Sequence, residues 1–366
     1  MAEKIALALS GGGVRAMVFH MGVLRFLAER NMLERVAELS TVSGGSLLVG
    51  LIFSKSGMRW PTSAEYISLT HPKIKTTLTR NDAQVATIAR ALLPKNWRFW
   101  LARPNILART FFRDWKVKGT LGDLPYLPIW SINCTTAETG KRFRFKEREL
   151  GDRVVGYADA AKFPLASAMA ISAAFPVGFG PFSLDARRFS WTARPSGLAH
   201  SQKNIHPLFK TLHLYDGGVY DNLGLESFYD IGTGKAEGDY RIILSDAGAP
   251  LERGFGLWAL NPLRVKRLMD VMMDQNRALR VRGFVDYVIN SKRAGYLGIS
   301  RSKNLKKALV REPIGYSWLS DDQAQYVSNF PTSLSQISDE DFGIIERHGY
   351  ETARLTDSAF PYLQAE

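Results

Sequence analysis

Four short apolar runs, Ile5 to Leu9, Leu39 to Val42, Ile129 to Cys134 and Ile242 to Leu244, contain no charged residue. Unbroken runs of this length mark strands buried on both faces, as parallel strands are, whereas a half-exposed strand would alternate. Turn residues and a helical stretch follow each of them. Behind the first run, Ser10-Gly11-Gly12-Gly13 leads into Val14 to Glu29, where Val18, Met21, Leu24, Phe26 and Leu27 recur at helical spacing. Ser46 to Ser54 predicts a second helix. Leu263, Leu268, Val271, Met272 and Leu279 predict a long helix over 262–290, with Pro262 at its first turn. The alternation of strand and helix predicts an α/β fold with a mostly parallel central sheet. Residues 58–120 break this rhythm. They are rich in Trp, Arg, Pro and Lys and read as an insertion or lid.

Composition is that of a chain with an ordinary core: 366 residues, 45% hydrophobic and 23% charged. Charge changes the picture more. There are 48 basic and 35 acidic residues, a net charge of +13, and the excess is regional. Residues 58–120 and 263–307 each hold 12 Lys or Arg against 3 Asp or Glu, and the rest of the chain is net acidic. Such windows suit an anionic membrane surface or nucleic acid, and equally a solvated face. The single cysteine, Cys134, excludes a disulfide scaffold and a multi-thiolate zinc site, and fits a reducing compartment. Neither a secretory h-region nor an apolar run near the ~18 residues of a membrane span is present, so a soluble or membrane-peripheral chain is expected.

The candidate chemistry sits in the loops between strand and helix. Thr41-Val42-Ser43-Gly44-Gly45 follows a strand and opens an apolar helix, the context of a nucleophile elbow, although Thr41 stands where that motif has its first glycine. Centring the motif on Ser46 would put Leu48 at the last glycine position and move the serine into the helix, so Ser43 is the better nucleophile. An ordinary Ser/Gly loop is the alternative. Gly11, Gly12 and Gly13, followed by Val14 and Arg15, can turn several N–H groups toward one point and bind an anion, as an oxyanion hole does. Gly11-x-Gly13-x-x-Ala16 also satisfies a loose dinucleotide fingerprint, which would make the chain a nucleotide-binding module. The next strand, however, ends in the Ser43 motif and not in the acidic residue that holds a ribose.

Asp216, in Tyr215-Asp216-Gly217-Gly218-Val219-Tyr220-Asp221-Asn222, offers a carboxylate able to accept a serine proton, or else the cap of a tight turn. Of His20, His71, His200, His206, His213 and His348, none lies in a triad motif; His348 alone has the chain order of an α/β-hydrolase base. Between 90 and 118, Arg90, Lys95, Arg98, Arg103, Arg109, Arg113, Lys116 and Lys118 alternate with Trp97, Phe99, Trp100, Phe111, Phe112 and Trp115, opposed by Asp114 alone. The mixture suits docking on lipid, an inward-folded lid core, or, less well, single-stranded nucleic acid.

Taken together, Gly-Gly-Gly-Val-Arg at 11–15, Val-Ser-Gly-Gly-Ser at 42–46, Ala-Ile-Ser-Ala-Ala-Phe-Pro at 170–176 with Phe179 and Pro181, and Asp-Gly-Gly-Val-Tyr-Asp-Asn at 216–222 resemble the patatin-like phospholipase family in order and spacing. Thr332 to Tyr350 is similar to the C-terminal helical part of bacterial members. The resemblance implies a three-layer α/β/α fold, with a catalytic core over 1–250 that carries the insertion at about 58–120. A mainly helical extension, 251–366, would pack on the same domain. It implies a dyad, Ser43 as nucleophile and Asp216 as base, with Gly11, Gly12, Gly13 and Arg15 forming the oxyanion hole and no cofactor or metal. The implied activity is a phospholipase A, cytoplasmic or peripheral on the inner face of the membrane. Its partner would be a phospholipid surface, and its substrate not nucleic acid. A thioesterase or acyltransferase acting on a soluble acyl thioester could use the same dyad. Bacterial relatives switched on by nucleotide second messengers leave a small-molecule or nucleotide activator open.

Overall fold

The computed structural model describes residues 3–99, 102–176, 178–193, 203–255, 263–300 and 316–363. Trp100, His200, Pro262 and positions 301–307 of the second basic window lie outside the described residues, as do the side chains of Arg98 and Leu263.

All four apolar runs are strands. β1 (Ile5–Leu9) lies between β2 (Val36–Thr41) and β11 (Arg241–Asp246), parallel to both, with Leu7 facing Leu39 on one side and Ile243 on the other. β3 (Ile129–Thr136) continues the parallel region beyond β2, and β12 (Ala294–Gly298) closes its far edge beside β11. The sheet is therefore parallel at its centre. Beyond β3 it becomes an antiparallel wing that the apolar pattern does not announce: β4 (Arg142–Lys146), β5 (Glu149–Asp152), β6 (Gly156–Asp159), β8 (Trp191–Ala193) and β9 (Lys203–Ile205). These strands are short; β4, with one face wet, reads Arg-Phe-Arg-Phe-Lys with only the phenylalanines buried.

The strand period of two sorts β1 between two cores. Ile5, Leu7 and Leu9 point into the larger one, with helices α1 (Gly13–Ala28) and α2 (Gly44–Lys55). Ala6 and Ala8 point into the other, beneath Phe284 of the helix Leu263–Ser291. Both faces being covered, the architecture is α/β/α in three layers. The helix Asp339–Ala359 packs across α1 in the larger core. At their crossing, a Cβ on Gly22 would overlap the Glu346 carbonyl and one on Gly349 the Phe19 carbonyl, so only glycine permits so close an approach.

The described residues of 58–120 contribute no strand to the sheet. Their main helices are His71–Arg80, Ala83–Ala91 and Pro104–Arg113. The aromatics of 90–118 divide between the two fates expected of them. Phe111 and Trp115 stack inward at 4.4 Å, whereas Trp97 and Phe112 face outward.

One topological detail assembles the site. β2 ends at Thr41, paired with Ile132, while β3 runs on to Thr136. The edge of β3 that β2 vacates is taken by β10 (Thr211–Asp216), antiparallel, with Asp216 opposite Cys134; the other edge is already held by β4. β7 (Phe182–Asp185) flanks β10. The last residue of β10 thereby arrives beside the turn that follows β2.

Candidate active site

Ser43 occupies that turn at φ 48°, ψ −118°, in a region that a residue with a Cβ adopts only under strain. Its neighbours hold it there. A Cβ on Gly45 would overlap the Leu9 carbonyl, so α2 rises from the sheet more closely than any other residue would allow. The N–H of Ser43 donates to Ser172 Oγ at 3.1 Å.

Ser172, at the end of the helix Leu165–Ser172, belongs to a hydroxyl chain whose direction is set by its termini. Trp130 Nε1–H donates to Thr41 Oγ1 (2.8 Å), and Ser172 Oγ–H donates to the Asn133 carbonyl (2.7 Å). The two intervening contacts, Thr41 to Ser46 and Ser46 to Ser172, are each 2.8 Å, and only one proton order satisfies both. Thr41 donates to Ser46, Ser46 to Ser172, and Ser172 keeps its second lone pair for Ser43 N–H. Thr41, the departure from the elbow pattern, is thus absorbed as a member of the network that supports the turn. Reading the sequence assigned no role to Ser46 or Ser172. The signal lay in the block at 170–176, but a serine's partners are not legible without the fold.

Asp216 is buried, 4% exposed. Its Oδ1 accepts the Gly218 N–H at 2.7 Å, and the carboxyl lies near enough to the Ser43 side chain for the hydroxyl to favour its ionised form. Burial pushes its pKa up to about 7 against the opposing pull of those two groups. The group is thus half ionised near neutrality, where a base exchanges protons most effectively. Its N–H is held by the Ala174 carbonyl, from the same 170–176 block.

Across Ser43 stands the glycine loop, with Gly12 at φ 142° and Gly13 at φ 61°. A Cβ on Gly11 would come within 3.0 Å of Ser43 Cβ, which shows how close the loop lies. Two of the residues expected in the oxyanion hole are otherwise engaged. Gly11 N–H donates to the Asn222 carbonyl at 3.0 Å. Arg15, buried, donates to the Phe330 carbonyl (2.5 Å) and the Ala247 carbonyl (3.1 Å), which binds α1 to the segments behind the loop. Burial, and after it the nearby Arg277, pulls its pKa down to about 10. Arg15 is a positioning residue. The main-chain N–H groups of Gly12, Gly13, Arg15 and Gly44 have no acceptor among the described residues.

His20, His71, His213 and His348 are committed elsewhere. His20, buried, lies between Ser245 Oγ (2.7 Å) and the Ser10 carbonyl (3.0 Å), and burial lowers its pKa to about 4. His71 pairs with Glu346, His213 with Glu138, and His348 Nε2 meets the Ile299 carbonyl at 2.7 Å. The carboxyl of Asp216 itself lies beside Ser43.

A three-layer α/β fold with a serine-bearing elbow, a facing carboxylate and a glycine loop defines the class of acyl-ester hydrolases. The family model described as patatin-like phospholipase matches residues 7–229, and the chain belongs to that family. The fold is similar to that of human GIVD cytosolic phospholipase A2 at a TM-score of 0.52 and 14% identity, over 99% of this chain and 61% of that one. The same human enzyme in complex with methyl gamma-linolenyl fluorophosphonate and terbium chloride gives 0.50 at 14% identity, with 99% and 59% covered. VipD from Legionella pneumophila is more distant, at 0.39 and 15% identity over 98% of this chain and 67% of that one. The chain spans about three fifths of the human enzyme's length. Among curated proteins no sequence matches it. Its family is one of lipid acyl hydrolases. No described helix is long and apolar enough to cross a membrane.

Proposed function

We propose that this chain is a phospholipase A that cleaves fatty acyl esters of membrane glycerophospholipids through Ser43 and Asp216. The observation that carries the reading is a strained, partly exposed Ser43 set beside a buried carboxyl whose pKa is raised to about 7. Asp216 takes the hydroxyl proton as Ser43 Oγ bonds to the ester carbonyl carbon. The N–H groups of Gly12, Gly13 and Gly44 stabilise the oxyanion that forms. Collapse breaks the ester C–O bond, Asp216 returns the proton to the departing lysophospholipid oxygen, and the acyl group stays on Ser43. Water, deprotonated by Asp216, then releases the fatty acid and restores the serine.

A lipid substrate places the enzyme at the inner face of a membrane as a peripheral protein. The close crossing at Gly22 and Gly349 supports treating the C-terminal helix as part of one folded unit with the core. The test is covalent labelling with a fluorophosphonate probe, followed by mass spectrometry of products from total membrane lipid. Labelling at Ser43 and release of fatty acid with lysophospholipid are expected. A folded chain that labels nowhere, or that cleaves acyl thioesters but no phospholipid, would replace the reading.

A further inference from the structure

The inserted residues leave an apolar stripe facing outward. Val85, Ile88 and Leu92 occupy one face, at spacings of three and four residues, on and just beyond the helix Ala83–Ala91; they are 59%, 56% and 65% exposed. Trp97 extends the stripe. Its Nε1–H donates to the Leu92 carbonyl at 3.3 Å, which leaves the ring 60% exposed. Water-facing helix surfaces are ordinarily polar, so a row of this kind marks a surface that something covers.

Beside the stripe opens a cavity of about 590 Å³, within the range of small-ligand sites. Its lining holds Arg90, Lys95, Arg109 and Arg113, together with the outward-facing Leu93 and Phe112, and no described residue of it is acidic. Arg90 is neutralised by a bidentate pair with Asp114 at 2.7 and 2.8 Å. Arg109 is held by Asn96 Oδ1 and lies over the Phe99 ring, with no carboxylate partner among the described residues. Lys95 and Arg113 have no acidic partner among the described residues. A cavity with three uncompensated cations beside exposed apolar side chains matches the two halves of a phospholipid, phosphate above and acyl chain below.

The face adjoins the chemistry on three sides. Gln84 exchanges hydrogen bonds with Leu334, and the neighbouring Ser333 carbonyl accepts Val14 N–H behind the glycine loop. Arg103 donates its backbone N–H to the Phe179 carbonyl and its side chain to the Gly178 carbonyl, in the loop that follows Ala174. The wall formed by Pro164, Ala166 and Ser167 begins the helix whose last residue, Ser172, holds the N–H of Ser43.

We propose that this face docks the protein on a bilayer containing anionic phospholipid. A lipid phosphate enters the cavity between Lys95, Arg109 and Arg113, while Val85, Ile88, Leu92 and Trp97 sink into the headgroup boundary. Docking then sets Ser43 at the lipid surface. The inference rests on the lipid-hydrolase reading, and binding is measured apart from turnover so that either can fail alone.

The experiment uses the full chain carrying Ser43→Ala, which leaves lipid unconsumed, in sedimentation with vesicles of phosphatidylcholine with or without phosphatidylglycerol. Partition should favour the anionic vesicles and fall as salt rises. Adding Lys95→Glu with Arg113→Glu should reduce it by about tenfold or more, and Ile88→Ser with Leu92→Ser should reduce it on both vesicle types. On the Ser43 chain the same exposed substitutions should leave hydrolysis of a soluble short-chain ester within about twofold, with unchanged melting, since they lie outside the dyad and the core. Partition unchanged by both pairs would overturn the proposal. So would a concentration-dependent dimer that Ile88→Ser with Leu92→Ser dissociates, because the stripe would then cover a second copy.

Discussion

Replacing Asp216 with asparagine should abolish ester hydrolysis and, above neutral pH, make the fold more stable. The carboxyl ionises at about 7 in the folded chain and at 3.8 by its ordinary value, so the folded state holds the proton more tightly. Its contribution to stability is complete below the unfolded pKa, where both states are protonated. It is lost as pH rises from 3.8 to about 7, because the unfolded chain ionises first and the folded chain must then bury a charge. The loss integrates to about 4 kcal/mol. Asparagine has nearly the same shape and accepts the Gly218 N–H as well, but never ionises. Urea unfolding should therefore show Asp216→Asn more stable than wild type by about 4 kcal/mol near pH 8 and by less than half of that near pH 5. In the same pH range kcat/KM of the wild type on a soluble ester should rise about tenfold per pH unit to a midpoint near 7 and then level, as only the ionised carboxylate takes the serine proton. A stability gap that does not widen between these pH values, joined to a flat activity profile through neutrality, would refute the reasoning, since Asp216 would then be an ordinary carboxylate.

Ser172→Ala strips the partner from the Ser43 N–H, the Ser46 hydroxyl and the Asn133 carbonyl at once, and should destabilise the fold by about 2–5 kcal/mol with a fall in kcat larger than any change in KM; Ser172→Thr, which keeps the hydroxyl, should recover part of both. Thermal melting and steady-state kinetics check this, and normal kcat in folded Ser172→Ala would remove the network from the elbow. Gly349→Ala drives a methyl group into the Phe19 carbonyl and should cost about 3 kcal/mol or more, read as a lowered urea midpoint with the same slope. His348→Gln should keep turnover within about tenfold of wild type, because the imidazole holds the Ile299 carbonyl and not the dyad, whereas loss of a true triad base costs far more.

The sequence by itself determined the parallel centre of the sheet, the two helices that follow β1 and β2, and the two strand-to-helix loops that hold the candidate residues. The physical reason is locality. An unbroken apolar run, a helical spacing and a glycine cluster express backbone and burial preferences within a few residues of each other, and the strain on Ser43 is itself imposed by the tight turn between β2 and α2. What only the tertiary structure decided was which of these groups meet. Asp216 reaches Ser43 because β2 stops at Thr41 and β10 takes its edge on β3, across more than 170 residues of chain. The Gly11 N–H and the Arg15 guanidinium are engaged because the Asn222 carbonyl in one case, and the Phe330 and Ala247 carbonyls in the other, arrive from distant segments to claim those donors. The alternation of cations and aromatics over 90–118 is equally compatible with a core or a docking face. It resolves into both only when packing buries Phe111 and Trp115 and leaves Trp97 and Phe112 outside, since a side chain's environment is a property of everything folded around it.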